Sequence, residues 1–246
     1  MPFTFSHPAV VLPFILCRRK WFSLTGLVAG SVTPDFEYFI RMRLQSNYSH
    51  TAAGLFWFDL PLGILLAFIF HNLIRRELFA NLPEGLHTRF ARFNGFIWNR
   101  YFKANWSVVA LSVLIGAASH LLWDGFTHDS GYFVQAIPAL LSTINLLGKE
   151  VPILKILQHL STLIGAIAIA VTVFSIKPVV PVKRKINLNY WLTVIILTCI
   201  IIAARIFSGL NYQLYGNMIV SAIAAVLISL TITPIFTRTA KQSASN

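Results

Sequence analysis

Trp106-Ser107-Val108-Val109-Ala110-Leu111-Ser112-Val113-Leu114-Ile115-Gly116-Ala117-Ala118-Ser119-His120-Leu121-Leu122-Trp123-Asp124 reads as a membrane helix with two ionisable groups at one end. It is uncharged up to Asp124 and matches the roughly 17–25 apolar residues that cross a bilayer core. His120, Asp124 and His128 fall at i, i+4 and i+8. Steps of four turn a helix by only about 40°, so the three groups share one face. Ionisable side chains at membrane depth are costly and mark functional sites by default.

The rest of the chain has the same character. Of 246 residues, 56% are hydrophobic and 11% charged, against about 25% charged in a soluble domain. Five apolar spans are expected, at about 56–73, 106–126, 153–176, 190–207 and 214–236. The fold class is therefore all-α, a polytopic helical membrane protein with an N-terminal membrane-apposed helical cap. We read 1–246 as a single integral membrane domain. Residues 1–56 form the cap, 57–176 three spans carrying the candidate site, 177–189 a basic hinge, and 190–237 two C-terminal spans.

Within residues 1–56, apolar pieces 8–17 and 21–33 flank Arg18-Arg19-Lys20, and each is too short to cross alone, so they read as a membrane-apposed helical cap or a re-entrant pair. Helix starts are expected at Ser6-His7-Pro8 and at Thr33-Pro34-Asp35, because proline suits a first helical turn. Residues 77–105 read as one amphipathic interfacial helix, with Phe90, Phe93, Phe96, Ile97 and Trp98 among Arg89, Arg92 and Arg100. Asp59-Leu60-Pro61 resembles a helix cap, and the polar tail from Thr237 should fray.

The net charge of +12 would suggest nucleic acid in a soluble chain. Here the basic residues sit in short connectors, as orientation signals and anionic-lipid contacts do, so the expected partners are membrane lipids and not nucleic acid. The positive-inside rule puts connectors 75–105 and 177–189 in the cytoplasm and the weakly charged loop 127–152 outside. Arg18, Arg19, Lys20, Arg41 and Arg43 dissent from that orientation unless 8–33 also crosses. Cys17 and Cys199 are isolated in apolar surroundings and read as buried small hydrophobes. No cleavable signal is apparent, since the first basic run follows the first apolar piece.

Seven groups are candidate ligands: His7, Asp35, His50, His120, Asp124, His128 and His159. All can gather at one membrane interface in this topology. Imidazole and carboxylate together suit zinc, with iron or manganese as alternatives, and the number of donors suggests two ions. Asp35 and Asp124 are the candidate catalytic carboxylates. Ser49, Thr51, Ser119 and Thr127 are candidate supporting hydroxyls. His71 and His87 read as interfacial, Glu37 and Asp59 as possible helpers, and Asp129 as a solvated loop residue or a base. The opposing reading is a set of polar packing residues in a transporter or an assembly protein.

Met1-Pro2-Phe3-Thr4-Phe5-Ser6-His7-Pro8-Ala9, Gly30-Ser31-Val32-Thr33-Pro34-Asp35-Phe36-Glu37-Tyr38-Phe39 and Ser49-His50-Thr51 carry a family resemblance. So do Phe56-Trp57-Phe58-Asp59-Leu60-Pro61, Ser119 through His128, and Gln158-His159. The chain resembles a bacterial membrane family catalogued as domain of unknown function 4184. More loosely, the order His, Asp, His, HxxxD, His, His resembles zinc-dependent phospholipase C and membrane-bound metal-dependent hydrolases. That resemblance implies the same seven residues as ligands and a phosphoester or related bond of a lipid or amphipathic substrate as the target. The chain departs from the soluble enzymes at Met1, where they use an N-terminal tryptophan amine, and at Leu163, where they carry the glutamate of a second HxxxE helix.

Overall fold

The computed structural model describes residues 3–16, 21–179, 186–210 and 213–243, with side chains omitted at 15–16 and from 238 onward. Cys17, Arg18-Arg19-Lys20 and hinge residues 180–185 lie outside the described residues. The described chain is helical almost throughout. It comprises α1 (Pro8–Val11), α2 (Leu24–Arg41), α3 (Leu55–Asn81), α4 (Glu84–Phe90), α5 (Trp98–Asp124) and α6 (Tyr132–Ala136). A hairpin follows, β1 (Thr143–Leu146) and β2 (Lys149–Pro152), then α7 (Ile153–Ser175), α8 (Leu188–Phe207) and α9 (Tyr215–Ser243). Five of these helices, α3, α5, α7, α8 and α9, are long and apolar enough to cross a bilayer. The architecture is all-α and polytopic.

Two compact units divide the chain. The first comprises Met1–Asp35, Tyr48–Ile64 and Asn105–Ser175. At its centre α2 lies against α5 with almost no side chain between them. A Cβ on Gly30 would sit 2.0 Å from the Val113 carbonyl oxygen, and one on Gly116 would sit 2.3 Å from that of Leu27. Glycine permits this approach because it has no Cβ to displace. Gly63 of α3 faces Val113 in the same layer. The N-terminal segment packs on α7, where Ser6 covers Gly165 and the Phe3 N–H donates to Thr162 Oγ1 at 3.0 Å. Leu27, Val109, Val113, Ala117 and Leu154 form the buried apolar filling.

The second unit comprises Phe36–Asn47, Leu65–Ala104 and Ile176–Asn246. Its core includes Phe39, Val220 and Ala224, and α8 pairs along α9. His71 stacks on Trp98 at 4.7 Å, and His87 Nδ1 donates to the Phe79 carbonyl at 2.7 Å, so both histidines are packing residues of this unit. Glu37 is also buried here, accepting from Arg41, Ser46 and the Asn47 N–H.

Several sequence expectations need correction. Pro34 does not begin a helix but lies inside α2. It cannot offer an N–H to the Gly30 carbonyl, and the Thr33 hydroxyl donates to that oxygen instead, at 2.8 Å. The helix expected over 77–105 is broken. Leu82 is extended before Pro83, as the residue preceding a proline prefers, and a 3-10 turn at Ala91–Phe93 separates α4 from α5. α5 starts at Trp98, ahead of the apolar span read from Trp106, because Asn99, Arg100, Lys103 and Asn105 interrupt the apolar pattern; Asn105 also has non-helical angles (φ −136°, ψ 28°). Asp59 is not a cap: it closes a π-helical turn, Leu55–Asp59, inside α3. The loop 127–152 contains the hairpin, and α9 continues through Ser243 where fraying was expected. Cys199 is exposed on α8, not buried.

Candidate metal centre

Four separate pieces of the first unit deliver the site. The N-terminal turns bring Thr4 and His7, α2 brings Asp35, the segment before α3 brings His50, and the end of α5 brings His120 and Asp124. His120 and Asp124 are one helical turn apart, so a single helix face presents both.

Four donor atoms converge: Asp35 Oδ1, His50 Nε2, His120 Nε2 and Asp124 Oδ2. His120 Nε2 is 3.5 Å from Asp35 Oδ1 and 3.3 Å from Asp124 Oδ2. His50 Nε2 is 3.6 Å from Asp35 Oδ1 and 3.5 Å from Asp124 Oδ2. The four residues offer ligand atoms that all lie within 4.8 Å of one another. Three of the atoms, Asp35 Oδ1, His120 Nε2 and Asp124 Oδ2, are buried and make no hydrogen bond. Buried polar atoms rarely go unsatisfied. A tetrahedral shell with bonds of about 2.0–2.2 Å has edges of about 3.3–3.6 Å, which matches the four imidazole–carboxylate distances.

The outer contacts orient these donors. The Ser31 carbonyl lies 2.7 Å from His120 Nδ1, and the Thr4 carbonyl lies 3.3 Å from His7 Nδ1. His128 Nδ1 faces the Asp124 carbonyl at 3.1 Å. Carbonyl oxygens only accept, so each Nδ1 carries a proton and Nε2 is the ring edge left for a ligand. Thr4 Oγ1 donates to Asp35 Oδ2 at 2.5 Å, fixing the carboxylate with Oδ1 turned inward. His7 stacks on His120 with ring centres 3.7 Å apart.

Asp124 faces two ways. Its Oδ2 belongs to the four-atom group, while Oδ1 lies 3.4 Å from His7 Nε2 and 3.5 Å from His128 Nδ1. Burial by itself raises the Asp35 carboxyl, but the imidazoles of His120 and His50 outweigh it and hold the group below the usual carboxylate range. Burial alone would lower His50, and the carboxylates of Asp124 and Asp35 instead raise it above an ordinary imidazole. His128 is lowered, chiefly by burial.

Of the seven expected ligands, Asp124 and five others come together and one stands apart. His159 is exposed on α7. Leu154 and Gln158 are the buried side chains at the start of that helix, and the next residue points about 100° away from the inward face. Among the expected supporting hydroxyls, Ser49 meets His50 Nδ1 at 3.1 Å. Thr51, Ser119 and Thr127 donate to their own local carbonyls at Tyr48, Gly116 and Trp123. Asp129 lies 3.9 Å from Lys155 on an exposed loop. Sequence reasoning missed Thr4 and the Ser31 carbonyl. Thr4 had a faint signal, a hydroxyl one turn before His7, whereas a backbone carbonyl has none.

No curated protein and no solved structure matches the chain. The family described as Domain of unknown function (DUF4184) matches residues 1–235, nearly the whole chain and every residue of the site. The chain belongs to that family.

Proposed function

We propose that the protein is a metal-dependent membrane hydrolase acting on a phosphoester or related bond of a lipid or other amphipathic substrate. The observation that carries the reading is the convergence of Asp35 Oδ1, His50 Nε2, His120 Nε2 and Asp124 Oδ2 at metal-ligand spacing, three of them buried without a hydrogen bond. Two carboxylates and two imidazoles, with no thiolate beside them among the described residues, suit zinc first and iron or manganese next. Those four residues would hold one ion. Asp124 Oδ1 and His7 Nε2, with His128 close by, would supply donors for a second.

A divalent ion in such a site supplies Lewis acidity and brings a water within reach of ionisation near neutral pH. The chain's own residues do the rest. Asp35 and Asp124 balance the cationic charge, Thr4 and the Ser31 carbonyl hold the donors in orientation, and the buried rings of His7 and His120 exclude solvent. His50 and His128 have side chains 22% and 29% exposed, so substrate reaches the group from their side. The five apolar helices favour a substrate that arrives within the membrane. We assign the protein to a bacterial cytoplasmic membrane on its basic connectors.

Elemental analysis of detergent-purified protein tests this reading. Wild type and His159→Ala should retain about one or two equivalents of zinc, iron or manganese. His120→Ala and Asp124→Ala should lose them. Chelator-sensitive cleavage of phosphoesters in mixed micelles should follow the metal. Well-folded wild type that holds no stoichiometric metal, even after reconstitution, would overturn the hydrolase and leave a transporter or assembly protein.

A further inference from the structure

The β1–β2 hairpin is an amphipathic element that the described residues leave largely exposed. Its register pairs Ile144 with Val151 and Leu146 with Lys149, and Asn145 with Glu150. Directly opposed residues share a face and neighbours alternate. One face therefore carries Ile144, Leu146 and Val151 with the Lys149 stem, and the other carries Asn145 and Glu150. Every residue from Leu141 to Glu150 is exposed, and Leu147 at the tip is 98% exposed. The turn is made by Leu147 and Gly148, both left-handed at φ 52° and 82°. Asn or Asp would suit the first of those positions in a water-facing turn, and leucine does not.

An isolated two-stranded hairpin is marginal in water unless something packs on its apolar face. The position of this one identifies the cover. It lies between the end of α5 at Asp124 and the start of α7 at Ile153, two of the bilayer-length helices, and β2 runs into α7 without a linker. The strand is thus tied to the membrane–water boundary. Lys149 beside Leu146 supplies positive charge where anionic headgroups lie.

We propose that the hairpin is a membrane finger, with Ile144, Leu146 and Leu147 seated in the lipid interface at the level where α5 and α7 meet the headgroups. Asn145 and Glu150 face water. The inference is independent of the metal reading. It gives the loop between α5 and α7 a lipid-binding role.

Site-directed spin labelling decides the point. Full-length protein with Cys17→Ser and Cys199→Ser would carry Leu147→Cys or, as the control on the opposite face, Asn145→Cys. Each is placed in nanodiscs of mixed zwitterionic and anionic phospholipid. The label at 147 should collide several-fold more with oxygen than with a water-soluble nickel chelate, and the label at 145 should show the reverse. Leu146→Cys gives the same readout as 147 and serves if the tip variant fails to fold. Equal chelate access at 147 and 145 would overturn the proposal. So would protection of 147 from both reagents together with oxidative cross-linking between chains, which would make a second copy the cover.

Discussion

His120 Nδ1 lies 2.7 Å from the carbonyl oxygen of Ser31, a bond that crosses from α5 to α2 and leaves His120 Nε2 aimed at two carboxylates. The same ring thus has a structural edge and a ligand edge. His120→Asn separates them, because the shorter amide keeps a donor for the Ser31 carbonyl and has nothing at the Nε2 position. The variant should fold with a melting temperature near wild type and lose metal. Equilibrium dialysis with zinc or manganese, alongside a thermal melt, checks both halves.

Thr4 acts through Asp35. Thr4→Val keeps the shape and deletes the hydroxyl that donates to Asp35 Oδ2. Removing an outer contact of this kind lowers metal affinity by about 10–100-fold. The stranded carboxylate oxygen costs about 1–3 kcal/mol. Calorimetric titration should show the weakened binding, and Thr4→Ser should restore most of it.

The register of the site depends on the glycine contact between α2 and α5. Gly30→Ala would place a methyl 2.0 Å from the Val113 carbonyl oxygen, on backbone that cannot yield without moving a helix. Overpacking of this sort costs about 1–3 kcal/mol, and here it also separates Asp35 from His120. Gly30→Ala and Gly116→Ala should lower thermal stability and metal content together. Gly85→Ala, which meets nothing within 4 Å, should change neither.

Acid should release the metal through His50. The facing carboxylates outweigh burial and raise this imidazole. His50 thus stabilises the metal-free protein fully below the ordinary imidazole value of about 6.5, and that contribution fades as pH climbs through the raised value. A metal needs the neutral ring. Between the ordinary and the raised value, binding must therefore expel a proton from His50. Titrations in buffers of different ionisation enthalpy should show this release, and His50→Gln should reduce it.

Much of this protein is legible in one dimension, since five apolar runs of bilayer length leave few alternatives to an all-α polytopic fold. The pair His120 and Asp124 is equally legible, because both lie on one helix and their spacing alone sets their common face. The helix over Leu24–Arg41 was not. Pro34 reads locally as a start signal, and only the Thr33 hydroxyl on the Gly30 carbonyl makes its place inside the helix tolerable. The hairpin was equally hidden, since its turn uses Leu147 in place of the asparagine or aspartate that would announce it.

His159 shows where the sequence stopped. Its order along the chain matched that of its companions, but the phase of α7 turns Gln158 inward and leaves His159 outside. Residue order was enough to read the five bilayer-length helices and the inventory of donors, because these depend on neighbours a few residues apart. The tertiary structure decided which donors meet. His7, Asp35, His50 and His120 come from segments up to 113 residues apart, and only the glycine-lined approach of α2 to α5 and the N-terminal turns folded on α7 bring them around Asp124.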